Sequence, residues 1–146
     1  MIIGIPSEVK TDEYRVAITP AGVRELTGQG HRVLVQRGAG LGSSIRDADY
    51  TATGATLVDD PDDVWAEADL VLKVKEPIED EYARLGAREN QTLFTYLHLA
   101  ASRPCTDALL AANNVAIPRA SGRFVLLLNP DTVVRPDAVS TLARYL

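Results

Sequence analysis

Five short apolar runs, Ile2 to Ile5, Arg32 to Gln36, Ala55 to Val58, Leu70 to Lys75 and Thr92 to His98, recur along the chain with amphipathic or turn-forming stretches between them. This alternation constrains the fold more than any other feature. A strand that is apolar on both faces must be covered on both, and helical crossovers between parallel strands supply that cover. The pattern predicts an α/β protein with three layers and a mainly parallel sheet, rather than a sandwich or a bundle. The intervening stretches carry helix signals. Thr19 and Pro20 form an N-cap and first helical residue, Val23 and Leu26 follow with helical spacing, and Gly30 marks the end. Asp60-Pro61-Asp62-Asp63 opens another helix with an acidic first turn suited to the helix dipole. A short helix is expected near Asp47 to Thr53, a helical stretch over Glu79 to Leu85, and a helix from Pro104 to about Ala112.

The length of 146 residues suits one domain, or one domain with part of another, and 46% hydrophobic content suffices for a buried core. No internal repeat or low-complexity segment interrupts the pattern. A net charge of −5 argues against nucleic acid as the main partner, since phosphate binding needs clustered Lys and Arg. No apolar run reaches membrane-spanning length, and the start of the chain lacks the features of a secretion signal, so the expected location is the cytoplasm, away from membranes. The charge is uneven: residues 1–110 carry 11 basic and 18 acidic side chains, residues 111–146 carry 4 and 2. The one cysteine, Cys105, has no partner for an internal disulfide and no metal-ligand spacing around it, and reads as an unreactive thiol.

Parallel sheets bind their ligands beyond the carboxyl ends of the strands, so polar residues there are the first candidates for chemistry. Alternation in Leu72-Lys73-Val74-Lys75 would put Lys73 and Lys75 on one face at a strand exit. His98 ends the next run in the equivalent place. One or two lysines and an imidazole so arranged could hold a small anion and exchange a proton with it. Lysines at strand ends are, however, mostly solvated, and a single histidine is often structural. Arg15, behind the acidic Asp12-Glu13, could grip a carboxylate with two parallel hydrogen bonds, or serve in a surface ion pair. The loop Gly38-Ala39-Gly40-Leu41-Gly42-Ser43 follows a strand and precedes a helix, but its third glycine is one residue early for a dinucleotide-binding turn. It reads more simply as a turn whose glycines supply positive φ.

The ordered set Met1-Ile2-Ile3-Gly4-Ile5-Pro6, Glu13-Tyr14-Arg15-Val16 with Thr19-Pro20-Ala21-Gly22-Val23, the Gly38 to Ser43 loop, Leu72-Lys73-Val74-Lys75-Glu76-Pro77 and Leu93-Phe94-Thr95-Tyr96-Leu97-His98-Leu99-Ala100 closely resembles the N-terminal half of alanine dehydrogenase. The resemblance covers about residues 1–110 and implies a Rossmann-like substrate domain. It also implies an oxidoreductase that converts L-alanine and NAD to pyruvate and ammonia. In that reading Arg15 and Lys75 hold the substrate carboxylate, and His98, with Lys75, acts at the carbon undergoing redox. Ser7 departs from the family, which usually has Lys there. The related proton-translocating transhydrogenase subunit shares the opening and the glycine loop but lacks the Tyr-Leu-His-Leu segment, so His98 favours the dehydrogenase. No GxGxxG turn with an acidic ribose ligand follows in this sequence, so NAD is implied by resemblance without its binding domain. Activity of the chain alone is not expected. A small-acid binding or interaction module is the alternative, and a homo-oligomer is compatible with either.

Residues 111–146 change character. Ser121-Gly122-Arg123-Phe124-Val125-Leu126-Leu127-Leu128-Asn129-Pro130-Asp131 resembles an internal piece of a family 2 glycosyltransferase, in which Asp131 would take the place of a metal ligand on a sugar nucleotide. A lone carboxylate holds a divalent cation poorly, so Asp131 is a weak metal candidate. Read by pattern alone, this segment is a strand from Phe124 to Leu128, a turn, and a helix from Pro136 to Tyr145, able to join the same sheet.

Overall fold

A computed structural model describes residues 1–85, 88 and 91–116 of the chain. Five parallel strands, β1 (Ile2–Ile5), β2 (Arg32–Gln36), β3 (Thr56–Val58), β4 (Leu70–Lys75) and β5 (Thr92–Tyr96), form one sheet in the order β3-β2-β1-β4-β5. The expected α/β class with a parallel sheet is therefore present. The helices are α1 (Pro20–Gly28), α2 (Asp47–Thr51), α3 (Pro61–Glu67) and α4 (Arg103–Ala116), with 3₁₀ turns at Leu41–Ser43, Glu79–Arg84 and Leu99–Ala101.

The apolar runs became strands because both of their faces are covered. Ile3, Ile5, Val33 and Val35 pack with Val23 of α1 and Tyr50 of α2 on one face. On the other, Gly4 lies against α3, where an added Cβ would sit 2.7 Å from Ala68 Cβ and 2.9 Å from Val64 Cγ1. Only a residue without a side chain lets α3 approach β1 so closely. The helix signals act as read: Thr19 accepts a hydrogen bond from the Gly22 N–H, and Asp60 accepts one from Asp62. Gly30 takes the left-handed conformation, φ +84°, just beyond α1.

The helical stretch expected over Glu79 to Leu85 is present as a 3₁₀ helix, Glu79–Arg84. Two local expectations need correction. The strand expected to reach His98 stops at Tyr96, and His98 leads into the following 3₁₀ turn with φ −107° and ψ 59°, outside the extended region. Of the loop glycines only Gly38 has positive φ, +79°, so Gly40 and Gly42 are not there for backbone handedness. They are there for space: a Cβ on Gly40 would meet Ile45 O and Tyr50 Cε2, each at 2.8 Å, and one on Gly42 would meet Tyr14 O at 2.6 Å.

α4 runs without a break across residue 110. The expected strand Phe124 to Leu128, the Asn129-Pro130-Asp131 turn, Asp131 itself and the helix from Pro136 all lie outside the described residues. Among the described residues no helix is long and apolar enough to cross a membrane.

Candidate functional site

Strand order fixes where a ligand can sit. The sheet runs outward from β1 to β2 and β3 on one side and from β4 to β5 on the other, so its direction of winding reverses between β1 and β4. Loops leaving adjacent strands at such a reversal part to opposite faces, which opens a crevice at the carboxyl ends. The segment from Ser7 to Arg15 leaves β1 there, and Lys75 and Glu76 end β4 beside it.

The lysines of β4 have separate roles. Lys73 is 3% exposed and bridges two carboxylates, Glu8 at 3.2 Å and Glu81 at 2.9 Å. It belongs to the interior and is unavailable to a ligand. The two lysines differ in burial: Lys73 is enclosed, whereas Lys75, the last residue of β4, is half-buried, and the ladder with β5 is irregular between Leu72 and Lys75. Glu8 occupies the gap, accepting the backbone N–H of Val74 at 2.6 Å and of Lys75 at 3.3 Å. Among the described residues no carboxylate lies within ion-pair distance of the Lys75 ammonium.

Arg15 is on the same edge, but its guanidinium is engaged. Its Nε and Nη2 donate to the two oxygens of Glu13 at 2.8 and 2.6 Å, and its backbone N–H donates to Oε1. These bonds to Arg15, with a smaller contribution from the charge of Lys75, outweigh burial and hold the Glu13 carboxyl at about 2. Glu13 in turn raises the Arg15 guanidinium above its ordinary value. The glycine loop supports this segment. Gly42 allows the Tyr14 backbone to pass close by, and Ser43 Oγ donates to Tyr14 O at 3.1 Å. A cavity of about 150 Å³ opens between the two loops, lined by Glu8, Glu13, Arg15, Gly38 and Gly42 among others. Ser7, at its margin, uses its backbone N–H on Gln36 Oε1 at 2.8 Å. The larger cavity, about 330 Å³ between α3 and the Glu79–Arg84 turn, lies away from this edge and its Arg84 is already paired with Asp62.

His98 lies two residues past Tyr96, which is the register partner of Lys75. Its Nδ1 is 3.2 Å from Glu76 Oε2, while Glu76 Oε1 pairs with Lys10. Burial works against the charge of Glu76, but hydrogen bonds from Lys10, from its own backbone and from His98 prevail and hold its carboxyl at about 2. The group bonded to the imidazole is a carboxylate. Arg15, Lys75 and His98 thus all lie at the carboxyl edge of the sheet, among Glu8, Glu13 and Glu76; the ion pair offered for Arg15 is present with Glu13, whereas sequence reasoning passed over Glu8 and Glu76. Glu8 and Glu76 stand just after β1 and β4, so the argument that singled out strand ends could have found them. Cys105 is buried and free, and burial pushes its thiol up, in keeping with an unreactive role. Among the described residues no group of three or more His, Cys, Asp or Glu is arranged to hold a metal.

A parallel sheet wound outward in both directions from a switch point between β1 and β4 defines a Rossmann-like, doubly wound α/β domain. Residues 4–119 match the family described as alanine dehydrogenase/PNT, N-terminal domain, and the chain belongs to that family. It is 64% identical over 117 residues to an alanine dehydrogenase of Mycolicibacterium smegmatis, a match covering 80% of this chain and 31% of the relative. Among solved structures, an L-alanine dehydrogenase superposes with a TM-score of 0.72 at 43% identity, covering 77% of this chain and 30% of that one. A transhydrogenase from Sinorhizobium meliloti superposes at 0.65 with 30% identity, covering 77% and 32%. The chain spans about a third of the length of the relatives it matches.

Proposed function

We propose that this chain is the substrate-binding part of an NAD-dependent alanine dehydrogenase, which interconverts L-alanine with pyruvate and ammonia. The observation that supports the reading is placement: Arg15 lines the cavity beside the β1 loop, Lys75 ends β4, and His98 follows the adjacent strand β5, all at the carboxyl edge of one sheet. Lys75 would hold the substrate carboxylate or polarise its oxo group. Arg15 would contribute through the part of its fork that Glu13 leaves free, and His98 would move a proton at the nitrogen or oxygen on the reacting carbon. NAD supplies hydride acceptance when bound. The described residues do not fit it: Gly40 and Gly42 face Ile45, Tyr50 and Tyr14 rather than open space, so the glycine loop is filled by the protein's own chain and cannot cradle a pyrophosphate.

Residues 1–110 would form the substrate domain and residues 111–146 a glycosyltransferase-like segment packed on the same sheet, a division supported only by the sequence pattern of that segment; the compartment would be the cytoplasm and the partner a small acid, and a homo-oligomer is compatible with this reading. A second reading is a small-acid binding or interaction module, which the same residues at the carboxyl edge would serve without turnover. Pyruvate titration by NMR tests the common core of both. Shifts of the Arg15, Lys75 and His98 side-chain signals are expected, with a dissociation constant on the order of millimolar, since one charge-assisted contact in an open crevice contributes little. Loss of those shifts in Lys75→Ala would support the assignment; signals unmoved in the unaltered chain would overturn it.

A further inference from the structure

We infer that Glu76 is a positioning residue for His98, fixing the imidazole as the tautomer with its proton on Nδ1 and leaving Nε2 as the nitrogen that meets the ligand. This deepens the proposed function and rests on it for the role of Nε2. The tautomer assignment stands on geometry alone. The Glu76 side chain is 5% exposed, and its two oxygens are divided between two partners, Oε1 for Lys10 and Oε2 for His98 Nδ1 at 3.2 Å. An ionised carboxylate has no proton to give, so the contact requires Nδ1 to be the donor. The carboxyl is held at about 2, so Glu76 stays anionic wherever a neutral imidazole exists. Lys10 prevents the carboxylate from rotating away, because turning Oε2 off His98 would also break the Lys10 pair. The other ring nitrogen is then free of a proton in the neutral ring and takes one from the ligand or returns it. When it does, the charge on the ring is compensated by Glu76 without any movement.

The segment that leaves β1 therefore reaches His98 by a second route, through Lys10 and Glu76, besides lining the crevice at Arg15. Glu76 touches neither ligand nor reacting atoms, and its effect is exerted through the ring it holds.

The test is a long-range ¹H–¹⁵N spectrum of the full chain in mildly alkaline solution without ligand, where neutral imidazole dominates. The chain has two histidines, so His31→Gln assigns the signals. Nδ1 of His98 is expected in the protonated range and Nε2 in the unprotonated range. In Glu76→Ala the preference reverts towards Nε2–H, the majority form of free imidazole, and in Glu76→Gln, which keeps an acceptor of the same shape, it is partly retained. A predominantly Nε2-protonated His98 in the unaltered chain would overturn the inference, whether or not either variant folds; so would an unchanged Nδ1-protonated ring in a folded Glu76→Ala. Pyruvate added to the same sample separates the two claims. A fixed Nδ1–H tautomer with no response to pyruvate removes the substrate reading and leaves Glu76 as the residue that sets the ring, whereas a pyruvate response from an Nε2–H ring does the reverse.

Discussion

Lys73 shows how a residue's role is decided by what lies opposite it. Its ammonium compensates two carboxylates that are themselves 2% exposed, Glu8 and Glu81, so removing it leaves both charges buried without a cation. Lys73→Ala is expected to destabilise the fold by about 3–5 kcal/mol in urea unfolding, far beyond an exposed Lys→Ala change. Lys75→Ala, two residues on, should leave stability nearly unaltered. Glu76 gives a pH signature of definite sign. Its carboxyl sits at about 2 in the fold against an ordinary 4.5, so the unfolded chain binds the proton more tightly. The stabilisation is complete above about 4.5 and is lost as the pH falls towards 2, amounting to roughly 3 kcal/mol. The melting temperature should therefore drop across that window, and Glu76→Gln, already weaker at neutral pH, should show a shallower drop. An equally steep drop in the variant would assign the acid sensitivity elsewhere.

At the scale of elements, the glycine loop holds Arg15 in place by close packing. A Cβ at position 42 would lie 2.6 Å from Tyr14 O and 3.1 Å from Tyr14 Cα, and backbone cannot yield as a flexible side chain can. Gly42→Ala is expected to shift the Asp12 to Arg15 segment, cost about 1–3 kcal/mol in thermal unfolding, and weaken pyruvate binding severalfold. Gly28→Ala, where nothing lies within 4 Å of the added Cβ, serves as the control and should be neutral or mildly stabilising within α1. Pyruvate affinity unchanged in a folded Gly42→Ala would mean that the loop does not set the position of Arg15.

Across the whole molecule, the cavity at the carboxyl edge lies between the β1 loop and the glycine loop, with the ends of β4 and β5 on the same edge of the sheet. The chain corresponds to about a third of its curated relatives, and hydride transfer needs the nicotinamide held against the substrate. Purified chain with L-alanine and NAD is expected to give no alanine-dependent rise in NADH absorbance above a Lys75→Ala control. A rise above that control would show that these residues hold the cofactor as well. Phe94 and Tyr96 of β5 are exposed, at 55% and 53%.

The sequence by itself determined the elements and the fold class. Apolar runs, a Thr-Pro start and an Asp-Pro start report local preferences that neighbouring residues enforce, so strands and helices were legible to within a residue or two at most ends. It also determined which end of the sheet to search, because parallel strands send their loops to ligands on the carboxyl side. The 3₁₀ character of Glu79–Arg84 and the early end of β5 escaped it, since both depend on packing rather than on periodicity. Tertiary structure alone decided that winding reverses between β1 and β4, that Lys73 is enclosed between Glu8 and Glu81 while Lys75 stays half-buried at the strand end, and that carboxylates from distant segments pair with the cations. Glu8 meets Lys73 across 65 residues and Glu76 meets Lys10 across 66. Charge pairing acts through space over a few ångströms, so no pattern along the chain encodes which Glu will face which Lys, and the site's electrostatics exist only once the sheet has assembled.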